Sequence, residues 1–169
     1  MKLLKLLPVL LLVVGMAACK VNYSFTGGTI HEDAKTFSVQ YFANRAPLVN
    51  PNLSSQFTEA LKEKFRGQTN LDEIVDGEGH LNFEGEITGY STSARDIQRD
   101  ELAATNRLTV TVRVRFTNAI EEEYDFDSSF SAYYDYDSSK QLNEVEEEAL
   151  EEILKQIIDD IYNKAVVNW

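Results

Sequence analysis

The eleven residues Arg107-Leu108-Thr109-Val110-Thr111-Val112-Arg113-Val114-Arg115-Phe116-Thr117 carry the clearest pattern in the chain. Leu108, Val110, Val112, Val114 and Phe116 alternate without a break with arginines and threonines. Successive side chains of a strand point to opposite faces, so the segment reads as a strand with one dry face and one wet face. Two segments of similar kind flank it. Upstream, Leu81, Phe83 and Ile87 fall on one face and Asn82, Glu84 and Glu86 on the other. Gly85 and Gly89 lie in the apolar row, where an overlying helix could come close. Downstream, Tyr124, Phe126, Phe130, Ala132 and Tyr134 oppose Glu123, Asp125, Asp127, Ser129 and Ser131. Thr117 to Glu121 is short enough for a hairpin, which sets Arg113 and Arg115 against the acidic face of the last strand. Ser91–Asn106 reads as a long loop, and loops of that length are often functional.

One-faced alternation of this kind is the mark of antiparallel pairing, and its dry face needs a cover. Two amphipathic helices supply it. Asn50-Pro51-Asn52 offers a start, with Asn50 as N-cap and Pro51 at the first helical position. Leu53, Phe57, Ala60, Leu61 and Phe65 then form one stripe, with Lys62, Lys64 and Arg66 near the end and Gly67 as the stop. The C-terminal helix takes Asn143 as N-cap and Glu146 as its capping-box partner. Its stripe is Val145, Ala149, Leu150, Ile153, Leu154, Ile157, Ile161 and Ala165. Thr36 to Phe42, rich in aromatic and β-branched residues, adds a first strand, and Gln68 to Gly79 is a connection ending in turn residues. The expected architecture is α+β: a two-layer sandwich whose four-stranded mixed sheet, in the order β-α-β-β-β-α, carries two helices on one face.

The N-terminus obeys other rules. Lys2 and Lys5 precede a short apolar core, Leu6 to Val14, and Met16-Ala17-Ala18 leads into Cys19. The apolar run is too short to span a bilayer and fits a secretory signal peptide. Ending at a cysteine, it resembles the lipobox of bacterial lipoproteins. Cleavage after Ala18 would then leave Cys19 as an acylated first residue, and several acyl chains on one residue anchor a domain durably. The expected organisation is a signal peptide over 1–18, a lipidated N-terminus and spacer over 19–35 with Tyr23 and Phe25 against the domain, and a single domain over 36–169. Cys19 is the only cysteine, so no internal disulfide can form. Loss of Lys2 and Lys5 takes the net charge from −12 to −14. That balance argues against nucleic acid and against broad adhesion to anionic lipid. No acidic residue closely follows Cys19, so the expected location is the outer membrane, facing the periplasm.

Catalytic and metal-binding chemistry finds no constellation in the sequence. Glu84 and Glu86 share a strand face at roughly 6.6–6.8 Å, but neither position reads as buried, as general acid catalysis requires. His31-Glu32-Asp33 has no second histidine or cysteine beside it. Tyr133-Tyr134-Asp135-Tyr136-Asp137 lacks the spacing of a calcium loop. No enzyme activity, cofactor or metal is expected.

Four longer, irregular stretches are more specific. They are Gln40-Tyr41-Phe42-Ala43-Asn44-Arg45-Ala46-Pro47-Leu48-Val49, Phe57-Thr58-Glu59-Ala60-Leu61-Lys62, Phe83-Glu84-Gly85-Glu86-Ile87-Thr88-Gly89-Tyr90 and the ending Tyr162-Asn163-Lys164-Ala165-Val166-Val167-Asn168-Trp169. With the element order and the lipobox, they make the chain similar to the LptE lipoproteins of lipopolysaccharide assembly, in their Bacteroidetes form. The resemblance implies a non-enzymatic plug that sits in the outer-membrane β-barrel LptD, helps it assemble and supports lipopolysaccharide transport to the surface. It makes LptD the partner and lipopolysaccharide a candidate ligand. Arg45, Arg95, Arg99 and Arg107 are then the candidate contacts. The alternative is a pilotin-like or other envelope-binding lipoprotein module.

Overall fold

The structure is a computed structural model and describes residues 30–48, 50–95 and 104–167. The signal segment, Ala18, Cys19, most of the spacer and Arg99 lie outside the described residues. In chain order come β1 (Thr36–Val39), β2 (Ala43–Asn44), α1 (Leu53–Gln68), β3 (Asp72–Glu73), β4 (Leu81–Arg95), β5 (Thr105–Asn118), β6 (Phe126–Asp137) and α2 (Leu142–Tyr162), which runs on into a π turn over Asn163–Val167. The sheet order is β3-β1-β4-β5-β6, with β2 also beside β4. The β1, β2 and β3 pairings are parallel, while β4, β5 and β6 are antiparallel neighbours. Two helices over one face of a mixed sheet match the expectation, but there are six strands rather than four.

Both additional strands have local causes. The expected strand Thr36–Phe42 ends early at Val39 and pairing resumes past its expected end, at Ala43, because the segment carries one residue too many: Val39 lies opposite Phe83, yet Ala43 lies opposite Glu86. The extra residue lets Phe42 turn inward. Its N–H donates to Thr58 Oγ1 at 3.2 Å, and its ring meets Phe57 edge-on at 4.9 Å. β3 forms inside the expected connection because Asp72 N–H bonds Lys35 O and Ile74 N–H bonds Phe37 O.

A register shift between Ile87 and Gly89 bulges β4. An extra residue in one strand reverses its alternation. Ile87 therefore points inward, and the next inward residue is Tyr90, 5 % exposed. Gly89 consequently faces the wet side, under Thr111, rather than the apolar row. Gly85 is in the apolar row, but what crowds it is not a helix. A Cβ there would sit 2.0 Å from Arg113 O and 2.7 Å from a ring carbon of Phe42. Asn82, expected in water, is buried and accepts a hydrogen bond from Ser38 Oγ at 2.7 Å. The long loop expected over Ser91–Asn106 is strand at both of its ends, over residues 91–95 and 105–106, with Arg95 paired to Thr105. Backbone pairing continues there without apolar residues to announce it. The last strand, conversely, starts later than Tyr124. Glu122–Tyr124 is a 3₁₀ turn, and Asp125 Oδ1 closes the hairpin by accepting the Asn118 N–H at 2.7 Å.

The helix boundaries differ by small steps. α1 begins after Asn52, and Asn50 Oδ1 takes the Asn52 N–H instead of capping the helix. Gly67 does not stop it. Thr69 does, bonding Phe65 O through both its N–H and its hydroxyl. The capping box of α2 is Gln141 with Glu144, two residues before the expected pair. The stripes hold: Leu53, Phe57, Leu61 and Phe65 of α1 and Ile153, Ile157 and Ile161 of α2 are buried against the sheet. Ring contacts link the layers, from Phe37 to Phe65 at 5.6 Å, Phe65 to Phe83 at 4.6 Å and Phe83 to Phe116 at 4.8 Å.

Candidate functional site

With both helices on one side, β4, β5 and β6 present their polar face to solvent, and this face is the candidate interface. Its middle is a row of hydroxyls. Thr111 and Ser131 share a hydrogen bond at 3.0 Å, Ser131 Oγ also donates to Val110 O, and Thr88 donates to Thr111 O. Beta-branched and small polar residues suit a pleated surface that needs no covering layer.

Each end of the row carries guanidinium–carboxylate pairs. At one end Arg113 holds Asp127 through two bonds, 2.8 and 2.7 Å, and Arg115 reaches Glu84 at 3.2 Å. Arg115 therefore pairs with β4, not with the last strand as expected, because Asp127 is already taken by Arg113. At the other end Arg107 holds Asp135 through two bonds of 2.6 Å, and its guanidinium carbon lies 3.4 Å from the centre of the Tyr133 ring. Tyr133 is 54 % exposed. Planar forks of this kind are the strong form of ion pair. The Arg113 bond holds the Asp127 carboxyl below its usual range, and the Arg107 bond does the same for Asp135, with Arg95 adding charge.

The candidate arginines are therefore divided. Arg95 and Arg107 come together around Asp135. Arg45 is exposed at the opposite side of the sheet, just after β2, where its N–H bonds Ile87 O. Of the tyrosine tract, only Tyr133 faces the polar side. Tyr134 bonds Glu148 of α2, and Tyr136 is buried. Glu84 is held in its ion pair. His31 bonds the neighbouring Asp33 N–H, and His80 bonds Thr36. Among the described residues no cluster of three histidine, cysteine or acidic side chains is placed to hold a metal.

One polar cluster was not legible beforehand. Glu146 Oε1 accepts hydrogen bonds from Asn50 Nδ2 at 2.9 Å and from the Tyr90 hydroxyl. It ties the start of α2 to the bulged half of β4 and to the loop before α1. Burial first, then the Glu146 carboxylate, pushes the Tyr90 hydroxyl well above its usual range. Sequence spacing marks Asn50 and Glu146 as helix caps, and the same atoms that suit capping serve this contact instead.

A sheet with one layer of helices and one bare, hydroxyl-lined face can dock but shows no catalytic arrangement among the described residues. The model of the LptE family, lipopolysaccharide-assembly, matches residues 34–165. The chain belongs to the LptE family. That span covers every described element of the fold except residues at its two margins. LptE membership connects the chain to lipopolysaccharide assembly in general terms. No curated protein matches the chain. Among solved structures, a hypothetical protein of Chlamydia trachomatis is 11 % identical with a TM-score of 0.51, over 78 % of this chain and 97 % of that one. A Xanthomonas campestris protein is 9 % identical with a TM-score of 0.50, over 76 % and 81 %. A minor lipoprotein of Acinetobacter baumannii is 13 % identical with a TM-score of 0.45, over 79 % and 96 %. For the first two, at these identities, the likeness is one of fold. No helix among the described residues is long and apolar enough to cross a membrane.

Proposed function

We propose that this LptE-family chain is a non-enzymatic outer-membrane lipoprotein that faces the periplasm, plugs the LptD barrel, helps it assemble and supports lipopolysaccharide delivery to the cell surface. In this reading Ala18 precedes the cleavage site and Cys19 carries the acyl chains. The observation that supports it most directly is the bare sheet face. Barrel interiors are polar and water-lined. A face of hydroxyls on which Arg107, Arg113 and Arg115 are already paired can enter such a lumen with little buried charge left unmatched. Arg95 and Arg107, gathered at one end of that face with Tyr133, are the contacts we assign to the barrel wall or to lipopolysaccharide phosphates. Arg45 would contact a different surface, and Arg99, outside the described residues, falls between β4 and β5 in the sequence.

The test is affinity purification of the chain from outer membranes, with mass spectrometry of its N-terminus and of what comes with it. The expected result is an acylated Cys19 and a large lipopolysaccharide-transport barrel in stoichiometric amount. Recovery of a secretin or a glycan in place of that barrel would overturn the reading, as would depletion that leaves surface lipopolysaccharide unchanged.

A further inference from the structure

The two helices run parallel and are tied together at both ends. Near their starts Asn50 Nδ2 donates to Glu146 Oε1 at 2.9 Å. Near their ends Lys64 Nζ donates to Asp159 Oδ1 at 2.6 Å, and the Tyr162 hydroxyl donates to Gln68 O at 3.3 Å. The ties lie about 20 Å apart at the rise of a helix. Between them the seam stays open, and a hollow of about 710 Å³ lies along it. Its floor is apolar: the small side chain of Ala60 on α1, then Leu150, Leu154 and Ile158 on α2. That row on α2 lies beside the Ile153, Ile157 and Ile161 row that meets the sheet. The rim is charged, with Glu59 and Glu63 on α1 and Glu151 and Lys155 on α2, all exposed. Glu59 is engaged by Lys62 at 3.1 Å, whereas Glu63, Glu151 and Lys155 make no ion pair among the described residues.

We propose that this groove takes an amphipathic helix of a partner protein, about thirteen residues long, whose apolar stripe is flanked by lysine or arginine. The stripe answers the floor. A helix is required because an extended segment laid on two helices would press unpaired backbone groups against them, and both helices already satisfy their own. A helix arrives with those bonds made and packs on its neighbours at about 8–10 Å. The basic flank answers the rim, where three carboxylates outnumber one ammonium beyond the Lys64–Asp159 pair, and Glu147 continues the α2 side one turn toward its start.

The same charges disfavour other occupants. A second copy would bring its own acidic helix surface against this one. An anionic membrane surface is repelled by the rim. Residues 20–29 hold one lysine, alternate apolar with polar and include Gly27-Gly28, a poor basis for a helix. The groove belongs to the helix layer, away from the hydroxyl face, so the proposal does not rest on the plug reading.

The test uses the chain from residue 20 onward, which carries every described element and no acyl group. The probe is a synthetic leucine–lysine peptide of about fourteen residues with its leucines on one helical stripe, and the control has the same composition in scrambled order. In titration calorimetry the striped peptide should bind more tightly than the control by about tenfold or more. Ala60→Trp, which fills the hollow, and Glu63→Lys/Glu151→Lys, which reverses the rim, should each weaken it by about tenfold or more. Glu122→Lys/Glu123→Lys, at the turn before β6, should leave binding unchanged. A leucine–glutamate version of the peptide should bind Glu63→Lys/Glu151→Lys more tightly than wild type, which also shows that this variant is folded. No binding of the striped peptide, equal binding of the scrambled one, or an equal loss in Glu122→Lys/Glu123→Lys overturns the proposal. So does a dimer that Ala60→Trp abolishes, which assigns the groove to a second copy. Binding to phosphatidylglycerol vesicles that Ala60→Trp abolishes assigns it to a membrane, and peptide binding that appears only when residues 20–29 are removed assigns it to the chain's own N-terminal segment. Either result also overturns it.

Discussion

The two faces of the sheet are made from the same three strands under opposite rules. On the dry face every inward residue from Leu108 to Phe116 is buried, and a line of rings runs from Phe37 to Phe116 across the helix layer. On the wet face the side chains are short hydroxyls and arginines held by carboxylates at the surface. Burial of apolar area drives folding, whereas exposed ion pairs contribute little because water already satisfies both charges. Stability therefore resides on one face, and the other can change to suit a partner without unfolding the domain.

That contrast fails if the dry face proves tolerant. Phe83→Ala removes the ring that touches both Phe65 and Phe116, and truncations of this kind cost about 3–5 kcal/mol. Urea unfolding should show a loss of that size with an unchanged slope, and a loss under about 1 kcal/mol would sink the claim. Gly85→Ala should come next, at about 1–3 kcal/mol or more, because its Cβ meets a backbone carbonyl that cannot swing aside. Tyr90→Phe and Glu146→Gln probe the seam between the layers. A hydrogen bond to a charged group is worth about 1.5–3 kcal/mol, and the double variant should cost less than the two singles added together. The raised Tyr90 hydroxyl has a definite sign. Its contribution is complete below the ordinary tyrosine value of 10.0 and fades as pH climbs past it. Unfolding curves for wild type and Tyr90→Phe should therefore converge in alkali.

The smallest stability effect belongs to the wet face. Arg107→Ala and Arg113→Ala should both barely move the unfolding midpoint at neutral pH, while Arg107→Ala alone weakens capture of the proposed barrel. The lowered carboxyls of Asp127 and Asp135 stabilise the fold above the ordinary value of 3.8, and that contribution disappears as pH falls below it. Any difference between wild type and the arginine variants should vanish in the same acid range. A large loss at pH 7 would mean that the two faces are not independent.

Much of this contrast is legible in the residues. The alternation from Leu108 to Phe116 identifies the central strand and both of its faces, because a period of two admits a single reading when no bulge interrupts it. The bulge at Thr88 has no such signal, and so Gly89 and Tyr90 exchange sides unannounced. The helix stripes of Leu53, Phe57, Leu61 and Phe65 and of Ile153, Ile157 and Ile161 are equally plain, but the caps are not. Asn50 and Asn52 are chemically the same start signal, and only packing chooses between them. The arginines were visible as charges, yet their sorting into two ends was not, since a diagonal pair such as Arg113 with Asp127 depends on register and twist.

By itself, the sequence determined which faces are greasy, where the helices run and that a cysteine follows an apolar leader, because these depend on local order along the chain. Tertiary structure alone decided that Phe42 fills the space over Gly85, that Glu146 joins Tyr90 and Asn50, and that, among the described residues, the long strand β6 pairs with β5 alone beside a half-covered aromatic row. Those features arise between residues about forty to one hundred positions apart, where geometry rather than spacing selects the partner.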